Sequence, residues 1–225
     1  IPSFAVGRTQ ELLYFLKQIK DQNLLGKYQD VPIYVDSPLA IEATEIFQRN
    51  KESCFDEEAL AYVQRGENPI GVSGLRTAVT SEASMAINAD TRSKISASGM
   101  CEAGRIKHHL KHNLWKPENT ILFVGYQAVG TLGRRLLEGA NYVTLFGESV
   151  KVAAQIRQLQ GMSGHADQKG LELWIQHVQQ VKKVFVIHGE TTAADTFTAL
   201  LNEQGISAYA PYSGTEFDVA SGQFL

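Results

Sequence analysis

Thr120-Ile121-Leu122-Phe123-Val124-Gly125-Tyr126-Gln127-Ala128-Val129-Gly130-Thr131-Leu132-Gly133 runs from an apolar stretch through a glycine turn into a helical segment. A short apolar run bounded by turn residues reads as a buried strand, and the spacing predicts a helix from about Gly130 to Leu137. Strand, glycine turn and helix form the repeating unit of an open, largely parallel α/β sheet. The same unit appears toward the N-terminus. Val31-Pro32-Ile33-Tyr34-Val35 reads as a strand ending at Asp36-Ser37-Pro38, followed by a helix over about 39–48. Before it, residues 8–20 place Leu12, Leu13, Phe15, Leu16 and Ile19 at helical spacing, with Thr9 as the expected N-cap. The charged 51–70 stretch reads as mostly helical. The fold class expected is α/β: a Rossmann-like, largely parallel sheet flanked by helices.

The pattern changes near Gly147. Val150, Val152, Ala154 and Ile156 alternate with polar residues, which predicts one strand over 150–159 with a solvated face. A helix over 168–179, a strand over 183–187 and a helix over 192–203 follow. Two domains are expected, 1–147 and a smaller β/α piece over 148–225. A sheet short of partner strands exposes edges and apolar surface, so homodimerisation or partial disorder after Gly147 is expected.

Composition narrows the function classes. A hydrophobic share of 44% and a charged share of 20% describe a globular protein with a buried core. No apolar run approaches the ~20 residues that span a bilayer, so no membrane partner is expected. Cys54 and Cys101 form no C-x-x-C pair, which suits a reducing, cytoplasmic location. The net charge of −3 gives no global pull toward polyanions, so any such binding must come from a local basic patch. The start at Ile1 carries no initiator Met and reads as the beginning of a piece of a longer protein.

Two histidines stand at expected strand ends: His165 in Gly161-Met162-Ser163-Gly164-His165-Ala166-Asp167, and His188 in Val186-Ile187-His188-Gly189-Glu190. A neutral imidazole in such a position suits zinc, and a second one nearby suits a phosphate oxygen. For either histidine taken alone, an ordinary core or turn histidine is the favoured reading. Asp167 and Glu190 precede helices, so capping explains both. A His165, Asp167, His188 set has the right donors for a metal, but capping competes for Asp167.

The turn built from Gly125, Tyr126, Gln127, Gly130 and Thr131 could cradle a phosphate, with Arg134 and Arg135 beside it. It is neither a Walker A loop nor G-x-G-x-x-G, and its glycines could serve only tight turning. Ser96, Ser98 and Gly99 form a similar loop leading to Arg105. On the helix Arg105–Asn113, His108 and His112 share the i, i+4 spacing of zinc ligands. With His109, Lys107 and Lys111 interleaved, the helix reads instead as a solvated basic face able to meet phosphates.

The chain resembles a known family along most of its length. Gly161–Asp167 and Phe185-Val186-Ile187-His188-Gly189-Glu190 are similar to the last two motifs of the metallo-β-lactamase nucleases of the β-CASP group. That group includes RNase J-like enzymes and the nuclease subunit of the pre-mRNA 3′-end cleavage factor. Ile1–Leu13 resembles the opening of the β-CASP insert. Ser96-Ala97-Ser98-Gly99-Met100 with Gly104-Arg105 resembles its central loop, and Gly125-Tyr126-Gln127 through Gly130-Thr131-Leu132 its third signature.

The resemblance implies a β-CASP domain over 1–147 and the C-terminal segment of a metallo-β-lactamase domain over 148–225. It implies His188 as a zinc ligand and His165 as the histidine that contacts the scissile phosphate and assists the leaving group. Two Zn²⁺ ions are implied for the full-length parent. It implies single-stranded RNA lying along Ser96, Ser98, Gly99, Arg105, Gly125, Tyr126, Gln127, Gly130 and Thr131. The family's H-x-H-x-D-H ligands precede the insert and do not occur here, so the chain alone is expected not to cleave RNA. The family's acidic strand-end ligand also precedes the insert, which leaves Asp36 to a turn or to structure.

Two departures stand out. Thr91-Arg92-Ser93-Lys94-Ile95 offers only Ile95 where an apolar central strand is usual in the family, and Gly164 stands where relatives usually carry Ala or another small residue. Two other readings stay open. One is a non-catalytic Rossmann-like module for RNA or nucleotides. The other is a hydrolase using Ser98 or Ser163, although neither serine lies in a G-x-S-x-G elbow.

Overall fold

The computed structural model describes residues 1–88, 93–162 and 164–225, so Thr91, Arg92 and Ser163 of the readings above lie outside the described residues. Helix α1 (Arg8–Asp21) starts behind Gly7, not at Thr9. Gly7 takes φ +82°, open to glycine at little cost, and its N–H donates to Gln10 Oε1 at 2.7 Å. Thr9 sits inside the first turn, its hydroxyl donating to Phe4 O at 2.7 Å. Strand β1 (Ile33–Val35) is buried at every position, as a strand covered on both faces must be. Ser37 caps α2 (Pro38–Arg49), with Pro38 at the first helical position, where its missing N–H costs nothing. Short helices α3 (Lys51–Cys54) and α4 (Glu57–Gln64) replace the longer helical stretch expected over 51–70.

Strand β2 (Leu75–Thr77), helix α5 (Ser81–Ile87) and strand β3 (Lys94–Ile95) complete a parallel sheet in the order β2-β1-β3. Helix α6 (Ile106–Asn113), strand β4 (Thr120–Phe123) and helix α7 (Leu132–Leu137) follow. Strands β5 (Tyr142–Leu145) and β6 (Glu148–Lys151) form an antiparallel hairpin turning at Phe146-Gly147. Strand β7 (Gln155–Gln158) pairs parallel to β4.

The single strand expected over 150–159 is therefore two. The chain leaves β5 and joins β4 across 152–154, where Ala153 and Ala154 N–H both donate to Leu114 O at 2.8 Å. The inward face stays in phase across this break, so Val150, Val152, Ala154 and Ile156 all reach one core.

The polypeptide forms two compact units, 1–163 and 164–225, so β6 and β7 belong to the first unit although they follow Gly147. That unit holds one core around Phe123, Leu136 and Leu145 and another around Leu13, Val35 and Ile95. The second unit contains α8 (Gln168–Gln176), β8 (Val184–Phe185), α9 (Thr191–Glu203), β9 (Ala208–Tyr209), β10 (Phe217–Asp218) and β11 (Gln223–Phe224). Strands β8 and β9 are parallel, while β10 and β11 are antiparallel. Phe185, Tyr209, Phe217 and Phe224 pack edge to face. Among this unit's described residues only Ile175 and Leu201 are buried apolar side chains. No described helix is long and apolar enough to cross a membrane.

Candidate nucleic-acid and metal site

Asp36 is fully buried just after β1 and organises much of the first unit. Its Oδ1 accepts from Arg105 at 2.7 Å; its Oδ2 accepts from Ser84 Oγ at 2.5 Å and His109 Nε2 at 2.6 Å. Nδ1 of His109 lies 2.9 Å from Asn88 Oδ1. Burial alone would push the Asp36 carboxyl up. The hydrogen bonds from His109, Ser84 and Arg105 outweigh it and hold the group below the ordinary aspartate value. Structure, not a turn alone, is thus the role of Asp36. The expectation for His109 is corrected: it is buried with Ile106 and Leu110, while His108 and His112 are exposed. Arg105 and His109 stand at i and i+4, on one helix face, a spacing that could have revealed this pairing from the sequence.

The loop residues divide into two groups. Arg105 was expected to contact phosphate, but one terminal nitrogen also donates to Ala78 O and the other to Val79 O, each at 2.8 Å. Ser96 is buried and donates to Asp36 O at 2.8 Å. Gly99 admits the N-terminal segment, since a Cβ there would approach the Phe4 ring to 3.0 Å. Gln127 is buried, and its Nε2 donates to Gly99 O at 3.0 Å, binding the two glycine loops together. Thr131 caps α7, accepting from Arg134 N at 3.2 Å and donating to Ala128 O at 2.7 Å.

Leu132 N–H donates to the Glu102 carboxylate and Gly133 N–H to Met100 O at 3.1 Å. The amides that open α7 are thus used internally, and the phosphate cradle expected there is closed. A carboxylate occupies the place where an anion would sit. Tyr126 and Gly130 are exposed beside this joint, with Ser98 and Gly125 half-buried. These four present the open surface of the joined loops.

In the second unit His165 and His188 are both exposed. His165 precedes α8, and His188 lies between β8 and α9 with φ +63°, a left-handed conformation that histidine tolerates better than most residues. Asp167 turns its carboxylate to the helix, accepting from Gly170 N at 2.8 Å. Glu190 stands at the cap position of α9. Among the described residues no three His, Cys, Asp or Glu side chains gather as a metal set. Imidazole is the right donor for zinc, but the donors here are too few to close a catalytic zinc site.

Two glycine loops, one after β3 and one after β4, are joined through Gln127, and the two exposed turn histidines follow them in the chain. Residues 9–136 match the model of the β-CASP domain, and residues 149–211 match that of the Zn-dependent metallo-hydrolase RNA specificity domain. The chain belongs to the β-CASP family of metallo-β-lactamase-fold nucleases. It is 38% identical over 192 residues to a ribonuclease of Thermus thermophilus, covering 84% of this chain and 42% of that protein. An RNase J-like protein of Methanocaldococcus jannaschii is 31% identical over 216 residues, covering 96% of this chain and 48% of the relative. Transcription termination factor FttA of Methanosarcina mazei is 31% identical over 201 residues, covering 86% and 31%. The chain spans less than half the length of each of these relatives.

Proposed function

We propose that this chain is the RNA-gripping and C-terminal part of a zinc-dependent ribonuclease, and that it does not turn over RNA by itself. The observation that carries this reading is the exposure of His165 before α8 and His188 after β8, within the stretch that matches an RNA specificity domain of metallo-hydrolases. His188 would hold zinc through a neutral imidazole, and zinc would supply charge neutralisation at the phosphoryl group. His165 would contact the scissile phosphate and pass a proton to the departing oxygen. Single-stranded RNA would lie across Tyr126, Ser98, Gly125 and Gly130. Arg105, Gln127, Ser96, Gly99 and Thr131 would act by fixing the loops beneath it. Leu173, Trp174 and Ile187 are exposed apolar side chains of the second unit. They support the view that these side chains are covered in the assembled protein, by a further part of the protein or a second copy.

The test uses a polypeptide of the relatives' length carrying these 225 residues. His188→Ala should reduce zinc-dependent cleavage of single-stranded RNA to background. His165→Ala should slow it about 10²- to 10⁴-fold with zinc retained, the range of a lost general acid. The 225-residue chain should show neither stoichiometric tight zinc nor phosphodiesterase activity. Normal activity in His188→Ala would overturn the assignment.

A further inference from the structure

The solvent side of α6 carries Lys107, His108, Lys111 and His112, with Trp115 and Lys116 just beyond its end. Its other side buries Ile106, His109 and Leu110. The β5–β6 hairpin brings Phe146 to this basic face. The His108 ring stacks on Phe146 with centroids 4.5 Å apart, and Lys107 and Lys111 ammoniums stand 5.4 and 6.0 Å from its centroid. Phe146 remains 49% exposed in spite of these neighbours.

Phe146 is also an unusual residue for its place. A two-residue hairpin turn with both φ values positive favours Asn-Gly, yet Phe146 holds φ +52° ahead of Gly147 at +80°. An aromatic ring is thus displayed at a position whose backbone disfavours it. The cations around it are loosely committed. Both ammoniums lie near the outer limit of cation–π contact, and Lys111 pairs at 2.6 Å with the exposed Glu148, a partner that a phosphate can displace. The positive field is dense. Burial lowers the pKa of His112, and the charges of His109, Lys111, Lys116 and His108 lower it further.

We propose that Phe146 and the basic face of α6 form a second contact for single-stranded RNA, separate from the joined glycine loops. One base stacks on Phe146 while Lys107 and Lys111 hold the flanking phosphates. An aromatic ring beside lysine cations is the composition that takes single strands with little regard to sequence. The inference rests on the reading that this chain handles RNA.

Fluorescence anisotropy of a labelled oligouridylate with the whole 225-residue chain tests it. Phe146→Asn suits the left-handed turn and should leave the fold intact, yet weaken binding about tenfold through the lost stack. The Lys107→Gln, Lys111→Gln double variant touches no core residue. It should lower the slope of log affinity against log salt by about 1.4, as two single-strand phosphate contacts require.

Affinity within twofold of the unaltered chain in both variants would overturn the proposal. So would an oligoglutamate that binds as tightly and responds to the same substitutions, because the face would then take an acidic protein segment. Tyr126→Ala separates the two readings. If it alone weakens binding, the loop reading stands and the α6 contact falls. If the Phe146 and lysine variants weaken binding and Tyr126→Ala does not, the α6 contact stands without the loops. No binding of oligouridylate by the unaltered chain would remove both.

Discussion

Gly133 touches nothing that looks like chemistry, yet it decides how the two glycine loops meet. A Cβ there would fall 1.7 Å from Gln127 Oε1, inside the joint that carries Gly99. Gly133→Ala should therefore cost about 1–3 kcal/mol in denaturant unfolding, the range of overpacking a filled site. Asp36 works on the same scale. Asp36→Asn leaves the Arg105 charge and His109 facing a weaker acceptor and should cost about 3 kcal/mol, as loss of one member of a buried pair does. The sign with pH follows from the lowered folded-state pKa. The carboxylate's contribution is present above the unfolded value near about 4 and fades as pH falls through the lower folded value. The stability gap between the parent chain and Asp36→Asn should thus be level at neutral pH and close below about pH 4. The sequence motifs pointed to Arg105, Gln127 and Thr131 as important. They could not show direction, because a guanidinium turned inward and one turned toward phosphate occupy the same letter in the chain.

Helices α1, α2 and α9 were legible because their apolar spacing repeats over several turns and turn or cap residues mark their starts. Strand β2 and helix α5 were not. They are short, and β2 is mostly exposed, so neither carries a long enough period to rise above its surroundings. The β6–β7 break was hidden for another reason: alternation continues unbroken through it because both strands feed one core. Helix α8 shows a capping reading holding against a metal reading. Asp167→Ala should lower the stability of the second unit by about 1 kcal/mol, and Asp167→Asn should restore it, since Asn caps as well as Asp. Thermal unfolding followed through Trp174, on the same helix, would read this directly. Failure of the Asn variant to recover would mean that the carboxylate serves something besides the cap.

The two units differ in how much they bury. The second has Ile175 and Leu201 as its buried apolar side chains, whereas the first has two extensive cores. Amide exchange in α8 and α9 should therefore be faster than in β1 and β4. The cysteines offer a chemical check on the first unit. Cys54 is exposed, while Cys101 is buried and its thiol is pushed up to about 12, chiefly by burial. Iodoacetamide should label Cys54 in the native protein and reach Cys101 only on unfolding of the first unit, so equal rates would contradict the packing described.

Strand β7 lies within the stretch matched by the RNA specificity model, yet all four of its residues pair with β4. Inheritance and mechanics thus divide this polypeptide at different places. A gene cut at Gly147, where the character of the sequence changes, would strip β4 of its neighbour and leave Ile121 and Ile156 each facing water. A cut after residue 163 instead leaves β4 and β7 paired within the first of the two compact units.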